Sequence, residues 1–312
     1  MATADLTVIG LGTWAIGGPW QYGWGPQDDQ ASVQTIRAAL EAGVNWIDTA
    51  PIYGCGHSEL VVGQALKGLS HKPLVATKCG LLWNEKREKV NCLDHDSILR
   101  ECEQSLRRLG VETIDLYQVH WPVPDGQIEE AWEAMAKLVE QGKVRFLGIS
   151  ELSEGDGTHA VLRRAVPTGA FDIVMLTINV LLQTAADELL PLCRKHDVGT
   201  VVMMPLNQAS KQSGLVSVPA ALACVRRHIA ARNLPAALPY TDARLFDFLR
   251  PYSIPEAALR FVLAHDIGAC CVGARSPERV QENLQAVQPP YMNAVRLEHL
   301  RTLFGSIRTQ IR

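Results

Sequence analysis

Residues 45–54 read NWIDTAPIYG. The first half of this stretch continues an apolar run, and its Val, Ile and Trp residues favour a short buried strand. Pro and Gly in the second half end that strand in a loop. Asp48 is therefore predicted at the carboxyl end of a strand, with Tyr53 on the loop above it. A helix N-cap and an ordinary surface tyrosine are the alternative for this stretch considered alone.

On both sides of this stretch, short apolar runs alternate with amphipathic helical patterns. Predicted strands lie near residues 6–14, 44–48, 74–78, 114–120, 144–150, 171–176, 199–204 and 268–272. Predicted helices lie near residues 29–42, 58–69, 96–109, 128–141, 158–165, 185–196, 255–265 and 277–286. This alternation implies parallel strands with right-handed crossovers. The fold class is therefore α/β.

Eight strand–helix units in one chain favour a closed (β/α)8 TIM barrel over a doubly wound sheet. The latter would usually show GxGxxG after its first strand, and residues 10–14 read GLGTW. A long loop, residues 205–252, is predicted after the seventh strand, and an extra helix is predicted near residues 295–307. We expect one domain over residues 1–312, since barrels of this size form single units.

The composition excludes several function classes. The 30 basic and 33 acidic residues give a net charge of −3 without long runs of one sign, which argues against a nucleic-acid or membrane surface. No apolar segment approaches the ~20 residues of a membrane span, and the N-terminus has no signal pattern. The eight cysteines show no metal-ligand spacing, and Cys270-Cys271 is interpreted as core filler. We expect no metal and a cytoplasmic location.

Polar residues end four of the predicted strands: Asp48, Lys78, His120, and Ser150 with Glu151. Each has an ordinary alternative, such as a cap, a surface lysine or a satisfied core histidine. In a barrel, however, all strand carboxyl ends open on one face, so these side chains are predicted to converge at one mouth.

This set of residues can supply a proton. A free tyrosine has a pKa near ~10, and a nearby lysine ammonium is expected to lower the pKa of Tyr53. Asp48 can hold Lys78 charged and in place, and a neutral His120 can orient a substrate oxygen. Tyr53 would protonate an alkoxide that forms on a carbonyl carbon, as hydride transfer requires. The hydride must come from a cofactor.

The sequence resembles the aldo-keto reductase superfamily and is similar to its bacterial and plant branches. The matching stretches are GLGTWAIGG, NWIDTAPIYGCGHSE, ATK, DLYQVHWP and VGARSPERVQEN, which begin at residues 10, 45, 76, 115 and 272. The resemblance covers roughly residues 6–290 and implies a (β/α)8 barrel. It also implies a catalytic tetrad of Asp48, Tyr53, Lys78 and His120.

The resemblance implies a nicotinamide cofactor, NADPH rather than NADH. Ser276 is a good N-cap with Pro at the next position, which predicts a helix N-terminus beside Arg275 and Arg279, a site suited to a 2′-phosphate. Glu282 and Asn283 would contact the adenine. The full set of expected cofactor residues is Thr13, Trp14, Ser150, Glu151, Met203, Pro205, Leu206, Gly273, Arg275, Ser276, Arg279, Glu282 and Asn283.

Three positions depart from the family pattern. Family members usually have Ser-Asn after the fifth strand and Gln at the end of the sixth, and these hold the nicotinamide amide; here Glu151 and Met175 take those places. Met203 replaces an aromatic or Arg residue that often packs on the ring. Glu151 could accept a hydrogen bond from the carboxamide, although burying an unpaired carboxylate is costly. The nicotinamide site is therefore expected to be altered.

Aromatic residues on the predicted loops indicate an apolar or ring-bearing substrate. The candidate substrate residues are Trp20, Trp24, Cys55, Trp83 and Trp121, and Tyr22 lies in the same loop as the first two. We predict an oxidoreductase that reduces an aldehyde or ketone to an alcohol, or the reverse. The alternatives are a redox-neutral or otherwise diverged reaction on the same tetrad, and a cofactor-sensing regulatory subunit. The oligomeric state stays open.

Overall fold

A computed structural model describes residues 5–21, 23–152, 157–234, 242–309 and 311. The strands of this described part are β1 Ile9–Gly12, β2 Trp46–Asp48, β3 Leu74–Cys79, β4 Leu81–Trp83, β5 Lys89–Asn91, β6 Ile114–Val119, β7 Val144–Ser150, β8 Ile173–Thr177, β9 Gly199–Met203 and β10 Ala269–Gly273. Its α-helices are α1 Asp29–Glu41, α2 His57–Leu66, α3 His95–Leu109, α4 Ile128–Glu140, α5 Ala160–Ala165, α6 Thr184–Lys195, α7 Val218–Ala230, α8 Ile254–Leu263, α9 Pro277–Ala286 and α10 Ala294–Phe304.

Eight of the strands form a closed parallel barrel in the order β1-β10-β9-β8-β7-β6-β3-β2. The first and last strands close it, with Ile9 opposite Cys270 and Gly12 opposite Gly273. The predicted fold class is confirmed: the chain is a single-domain (β/α)8 barrel, and α10 is the predicted extra helix. That the domain spans all of residues 1–312 stays a prediction.

The amino end of the barrel is closed by a large side chain. Trp46 on β2 is fully buried against Met175, Val201 and Ala269 inside the barrel, and its indole N–H donates to the carbonyl of Thr7 at 2.8 Å. Gly10 on β1 makes room for the ring, because a Cβ there would lie 2.0 Å from it. The barrel is thus filled at this end, and its open space lies at the carboxyl end.

The long segment after the seventh barrel strand differs from the prediction of a loop. It contains α7 and a 3-10 helix, Ala243–Leu249. Ser217 caps α7 by accepting from the N–H of Ala220, and the helix buries residues at helical spacing, among them Ala221, Cys224 and Val225. The pattern was present in the sequence, but the Pro, Gly and Ser residues around it obscured it.

The sequence did not predict the antiparallel hairpin formed by β4 and β5, which follows β3. Its strands are only three residues each, too short for a clear alternation. Asn84 organises the turn: its side-chain oxygen accepts from the N–H groups of Lys86 and Glu88. Across the described residues, no helix has the length and hydropathy needed to cross a bilayer.

Candidate active site

The carboxyl ends of the barrel strands surround a cleft of about 1040 Å³ that is open to solvent at its mouth. The register brings the predicted strand-end residues to this level, with Asp48 opposite Gly12, Lys78 opposite Gln118 and Ser150 opposite Met175. The predicted residues that line the cleft are Thr13, Trp14, Trp20, Trp24, Asp48, Tyr53, Lys78, His120, Trp121, Ser150, Glu151, Met203, Pro205, Leu206 and Gly273.

A buried ion pair lies at the floor of the cleft. The Lys78 ammonium donates to both Asp48 oxygens, at 2.7 and 2.8 Å, and to the carbonyl of Thr49 at 2.9 Å. The two charged side chains are only 1% and 5% exposed. Burial raises the pKa of Asp48 and the ammonium opposes this rise, whereas the carboxylate raises the pKa of Lys78 despite its burial. Lys78 is therefore held charged.

Tyr53 lies over this pair on a tight loop. Its hydroxyl accepts from the Lys78 ammonium at 3.4 Å. The loop closes on itself, with the N–H of Tyr53 donating to the carbonyl of Ala50. Gly54 has a φ of +65°, and a Cβ there would lie 1.8 Å from the carbonyl oxygen of Gly17. Glycine is thus required at this position to hold the phenol above Lys78.

The phenol is protonated at neutral pH. Burial raises the pKa of Tyr53 to about 12, and the Lys78 ammonium opposes this rise. The direction differs from the sequence expectation, which considered the ammonium but not the loss of solvent around the phenol. A protonated phenol beside a permanent cation can still release a proton, because the cation stabilises the phenolate that remains.

His120 follows β6 and faces Tyr53, with 5.6 Å between the ring centroids. Burial, and then the charges of Lys78 and Lys89, lower the pKa of His120 well below its usual range. Its Nδ1 is buried and has no hydrogen-bond partner among the described residues. The imidazole is therefore neutral, as expected from the sequence, and can donate a hydrogen bond without carrying a charge.

The opposite wall of the cleft carries Ser150, Met175, Met203 and Cys271 from β7 to β10. The Ser150 hydroxyl lies 3.3 Å from the carbonyl oxygen of Glu151 and 3.7 Å from the sulfur of Met203. Three of these four side chains therefore offer sulfur atoms, so this wall is soft and weakly polar.

Glu151 has partners that the sequence analysis did not identify. One carboxylate oxygen contacts Nδ1 of the buried His159, and the other accepts from the N–H of Thr177 at 2.8 Å. His159 in turn bonds Thr184 through Nε2 at 2.8 Å. The carboxylate is thus paired rather than left open for a ligand. His159 adopts a left-handed backbone with φ of +54°, which no sequence pattern indicated.

The two arginines at the last strand have different partners. Arg275 donates to the Gln27 side chain at 2.6 Å and to the carbonyls of Trp24 and Pro26, so it holds the loop before α1. The guanidinium of Arg275 is thus held by this loop, and its predicted contact with the 2′-phosphate stays a prediction. Arg279 is exposed and pairs with Glu282 at 2.6 Å.

The helix N-terminus predicted at Ser276 is present, since Ser276 caps α9 by accepting from the N–H of Arg279. Asn283 is buried and donates to the carbonyl of Gly273 at 3.3 Å, fastening α9 to β10. The adenine contact expected for Asn283 stays a prediction. Glu282 is exposed, and its carboxylate pairs with the guanidinium of Arg279.

Among the candidate substrate residues, Trp20, Trp24 and Trp121 line the cleft. Trp83 packs on the cluster of Ala50, Ile52 and Leu81 rather than lining the cleft. Cys55, with φ of +57°, does not line it either. Tyr22 lies outside the described residues.

The sequence analysis missed other residues at or beside the cleft, among them Gln118, which contacts the buried ion pair, and Cys271 and Lys89, which line the cleft. Gln118 donates to Asp48 at 3.4 Å, and its position two residues before His120 places it on the same strand face. Cys271, interpreted as core filler together with Cys270, faces the cleft; only Cys270 is fully buried. Strict alternation along the strand, from Ala269 to Gly273, could have revealed this. Lys89 on β5 also lines the cleft.

Comparisons with known proteins agree with this geometry. Residues 8–295 match the model of the Aldo/keto reductase family. The chain is similar to the NADH-specific methylglyoxal reductase of Escherichia coli strain K12, with 33% identity over 92% of each chain. It is also similar to the holo form of aldo-keto reductase AKR11C1 from Bacillus halodurans, with 28% identity, a TM-score of 0.73, and 96% and 92% of the two chains covered.

A third similar protein is an aldo-keto reductase from Klebsiella pneumoniae in complex with NADPH, with 26% identity, a TM-score of 0.70, and 98% and 95% of the chains covered. Across these relatives, the similarity spans nearly the whole barrel. The chain belongs to the aldo/keto reductase family and is an NAD(P)H-dependent oxidoreductase.

Proposed function

We propose that this protein reduces an aldehyde or ketone to an alcohol with NADPH, or catalyses the reverse reaction, with Tyr53 as the general acid. One observation carries this proposal: the protonated Tyr53 hydroxyl lies 3.4 Å from the ammonium of Lys78, which two Asp48 oxygens hold in place. Carbonyl reduction needs a proton donor of this kind beside the developing alkoxide.

The residues of the cleft fit a nicotinamide cofactor. The cleft extends from the tetrad past Met203, Pro205 and Leu206 to Gly273, and its sulfur-lined wall suits a flat ring. The ring pocket would be lined by residues at or just after the ends of β1 and β7, namely Thr13, Trp14, Ser150 and Glu151. The N-terminus of α9, which begins at Pro277 beside Arg279, carries the positive end of the helix dipole and suits a phosphate.

The preference for NADPH rests on Arg279. Its pair with Glu282 is exposed, and exposed pairs contribute little to stability, so the guanidinium can exchange the carboxylate for a phosphate. Arg275 has a supporting role, since it fixes the loop of Trp24 and Pro26. Because one arginine rather than two would bind the 2′-phosphate, we expect only a modest preference for NADPH over NADH. One similar protein is NADH-specific, so the cofactor preference of this protein should be measured.

When bound in the cleft, the nicotinamide cofactor would supply the hydride for the carbonyl carbon. The neutral His120 donates a hydrogen bond to the carbonyl oxygen and orients it toward Tyr53. As negative charge develops on that oxygen, the Tyr53 hydroxyl transfers its proton and becomes a phenolate. The Lys78 ammonium stabilises the phenolate, and Asp48 keeps the ammonium in position. Solvent then returns a proton to Tyr53, and the alcohol leaves.

The proposal is tested by titrating the protein with NADPH and NADH while following tryptophan fluorescence, because Trp14, Trp20, Trp24 and Trp121 line the cleft. Cofactor oxidation is then followed with methyl 4-formylbenzoate, an aromatic aldehyde. Binding with substrate-dependent oxidation is the expected result. Tight binding without turnover of any carbonyl would favour a cofactor-sensing subunit, and no binding of either cofactor would contradict the proposal.

A further inference from the structure

Gln118 and Cys271 place two polar side chains against Asp48 that the proposed mechanism does not use. Gln118 lies on β6 opposite Lys78, is fully buried, and donates from Nε2 to the Asp48 carboxylate at 3.4 Å. Cys271 lies on β10, and its thiol hydrogen-bonds the same carboxylate. Neither β6 nor β10 is a neighbour of β2 in the barrel, so each side chain reaches Asp48 past an intervening strand.

Two glycines leave the space for these contacts. Gly12 on β1 lies opposite Asp48, between β2 and β10, and a Cβ there would lie 2.8 Å from the sulfur of Cys271. Gly148 on β7 lies opposite Gln118, and a Cβ there would lie 2.8 Å from Cγ of that side chain. Carbon atoms in a packed interior do not approach this closely, so any larger residue at either glycine would displace one of the two donors.

Packing alone does not account for the amide of Gln118. Its Oε1 is buried and has no hydrogen-bond partner among the described residues. A buried amide costs free energy unless it is hydrogen-bonded, and a methionine would fill a similar space without that cost. Within the described part of the chain, the amide bonds Asp48, so its presence is explained by its effect on that carboxylate.

The hydrogen bonds to Asp48 act on its charge. Burial raises the pKa of this carboxyl, whereas Lys78, Gln118 and Cys271 oppose the rise. The titratable groups that face it are Lys78 from β3, Cys271 from β10 and Tyr53 from the loop after β2. Burial raises the pKa of Cys271 and of Tyr53, so both are neutral at physiological pH. The thiol and the Gln118 amide thus stabilise the carboxylate as neutral donors, in addition to the charge of Lys78.

We propose that Gln118 and Cys271 are positioning residues of the reaction, which complete the set of donors to the Asp48 carboxylate. The complete set keeps the carboxylate ionised, and the carboxylate keeps Lys78 beside Tyr53 while the phenolate forms. Both residues act through Asp48, and neither supplies the proton. This inference rests on the proposed function, because it requires Tyr53 to be the acid.

The experiment measures the ionisation of Asp48 directly and then its effect on turnover. Carbon NMR of the aspartate carboxyl groups gives the titration midpoint, and the Asp48 signal is assigned by its absence from Asp48→Asn. The kcat for carbonyl reduction is followed from about pH 4.5 to 10. The variants are Gln118→Met, Cys271→Ala, their double variant and Cys271→Ser. Cys270→Ala is the matched control, since Cys270 packs in the main hydrophobic core and not in the cleft.

We expect the midpoint of Asp48 to rise by about 0.5 in pH in Gln118→Met and in Cys271→Ala, and by about 1 in the double variant, the size of one and two weak hydrogen bonds to a charged group. The acid limb of kcat should rise by the same amount and the alkaline limb should stay in place. Cys271→Ser keeps a donor and should keep the wild-type midpoint, as should Cys270→Ala. In Gln118→Met the Kd of NADPH should stay within about twofold of the wild type, because Gln118 does not line the cleft.

Two other results are distinguishable. If the variants lower kcat equally at every pH and leave the midpoint of Asp48 unchanged, Gln118 and Cys271 only fill space, and the positioning role is wrong while the reductase proposal stands. If the wild type binds cofactor but oxidises it with no carbonyl, the proposed function fails whatever the midpoints are, and the positioning role fails with it.

Discussion

The two walls of the cleft are built on different principles. The wall from β2, β3 and β6 carries a buried ion pair, a phenol and an imidazole, each fixed by a hydrogen bond or ring contact. The wall from β7 to β10 carries Met175, Met203 and Cys271, and its one carboxylate is paired with buried groups. The first wall has the means for chemistry, and the second offers a deformable surface for a flat ligand.

The position of a residue in the barrel does not determine its role by itself. Asp48 and Glu151 both lie at the carboxyl ends of barrel strands and are both nearly buried. Asp48 faces Lys78 in the cleft, whereas Glu151 contacts His159 and the backbone of Thr177. The two carboxylates therefore differ in their partners: Asp48 is paired with a lysine of the cleft, and Glu151 with a histidine and a backbone N–H outside it.

The largest effect is expected on the first wall. Tyr53→Phe removes the proton donor while keeping the ring, so turnover should fall by about 10³-fold. Cofactor affinity, measured by fluorescence titration, should stay within about twofold of the wild type. Thermal unfolding of the variant serves as the control for folding. Turnover close to the wild-type value would mean that another group supplies the proton.

The second wall is tested by Glu151→Ala. This change leaves His159 and the N–H of Thr177 without their buried partner, so the free energy of unfolding should fall by about 3 kcal/mol. Urea denaturation measures the effect, with His159→Ala and the double variant completing a cycle. If the carboxylate instead binds the nicotinamide amide, the variant would lose cofactor affinity and keep its stability, and the contrast between the walls would disappear.

A smaller effect is expected where the second wall reaches α9. Arg279→Ala should weaken NADPH binding about tenfold and leave NADH binding nearly unchanged, since only NADPH carries the 2′-phosphate. Glu282→Ala is the matched variant: it frees the same guanidinium and should strengthen NADPH binding slightly. Equal losses for the two cofactors in Arg279→Ala would place the phosphate at another residue.

A change of pH is expected to have the smallest effect on kcat. Tyr53 donates only when protonated, and its pKa of about 12 keeps it protonated until strongly alkaline pH, above which activity is lost. His120 stays neutral down to acidic pH because its pKa is well below the usual range. The kcat for carbonyl reduction should thus vary less than about twofold between roughly pH 7 and 10. A decline centred near pH 8 would show that Lys78 outweighs burial at the phenol.

Much of the first wall could be predicted from the sequence. Apolar runs of strand length mark the barrel, and Asp48, Lys78 and His120 occupy the same relative place in successive units. The contacts made by Glu151 and Arg275 could not be predicted in this way. They depend on His159, which adopts an unusual backbone conformation, and on Gln27, which lies 248 residues away. The local sequence pattern around a residue does not indicate which distant residue it will contact.

Barrel closure between Ile9 and Cys270 also determines when the protein can fold. The first strand emerges from the ribosome long before its neighbour β10 has been synthesised. One edge of β1 therefore stays unpaired until almost the whole chain has been made. During synthesis this edge, with its unpaired backbone groups, is open to association with other chains. We therefore expect chaperones to bind nascent chains that end before residue 269, in which this edge is still unpaired.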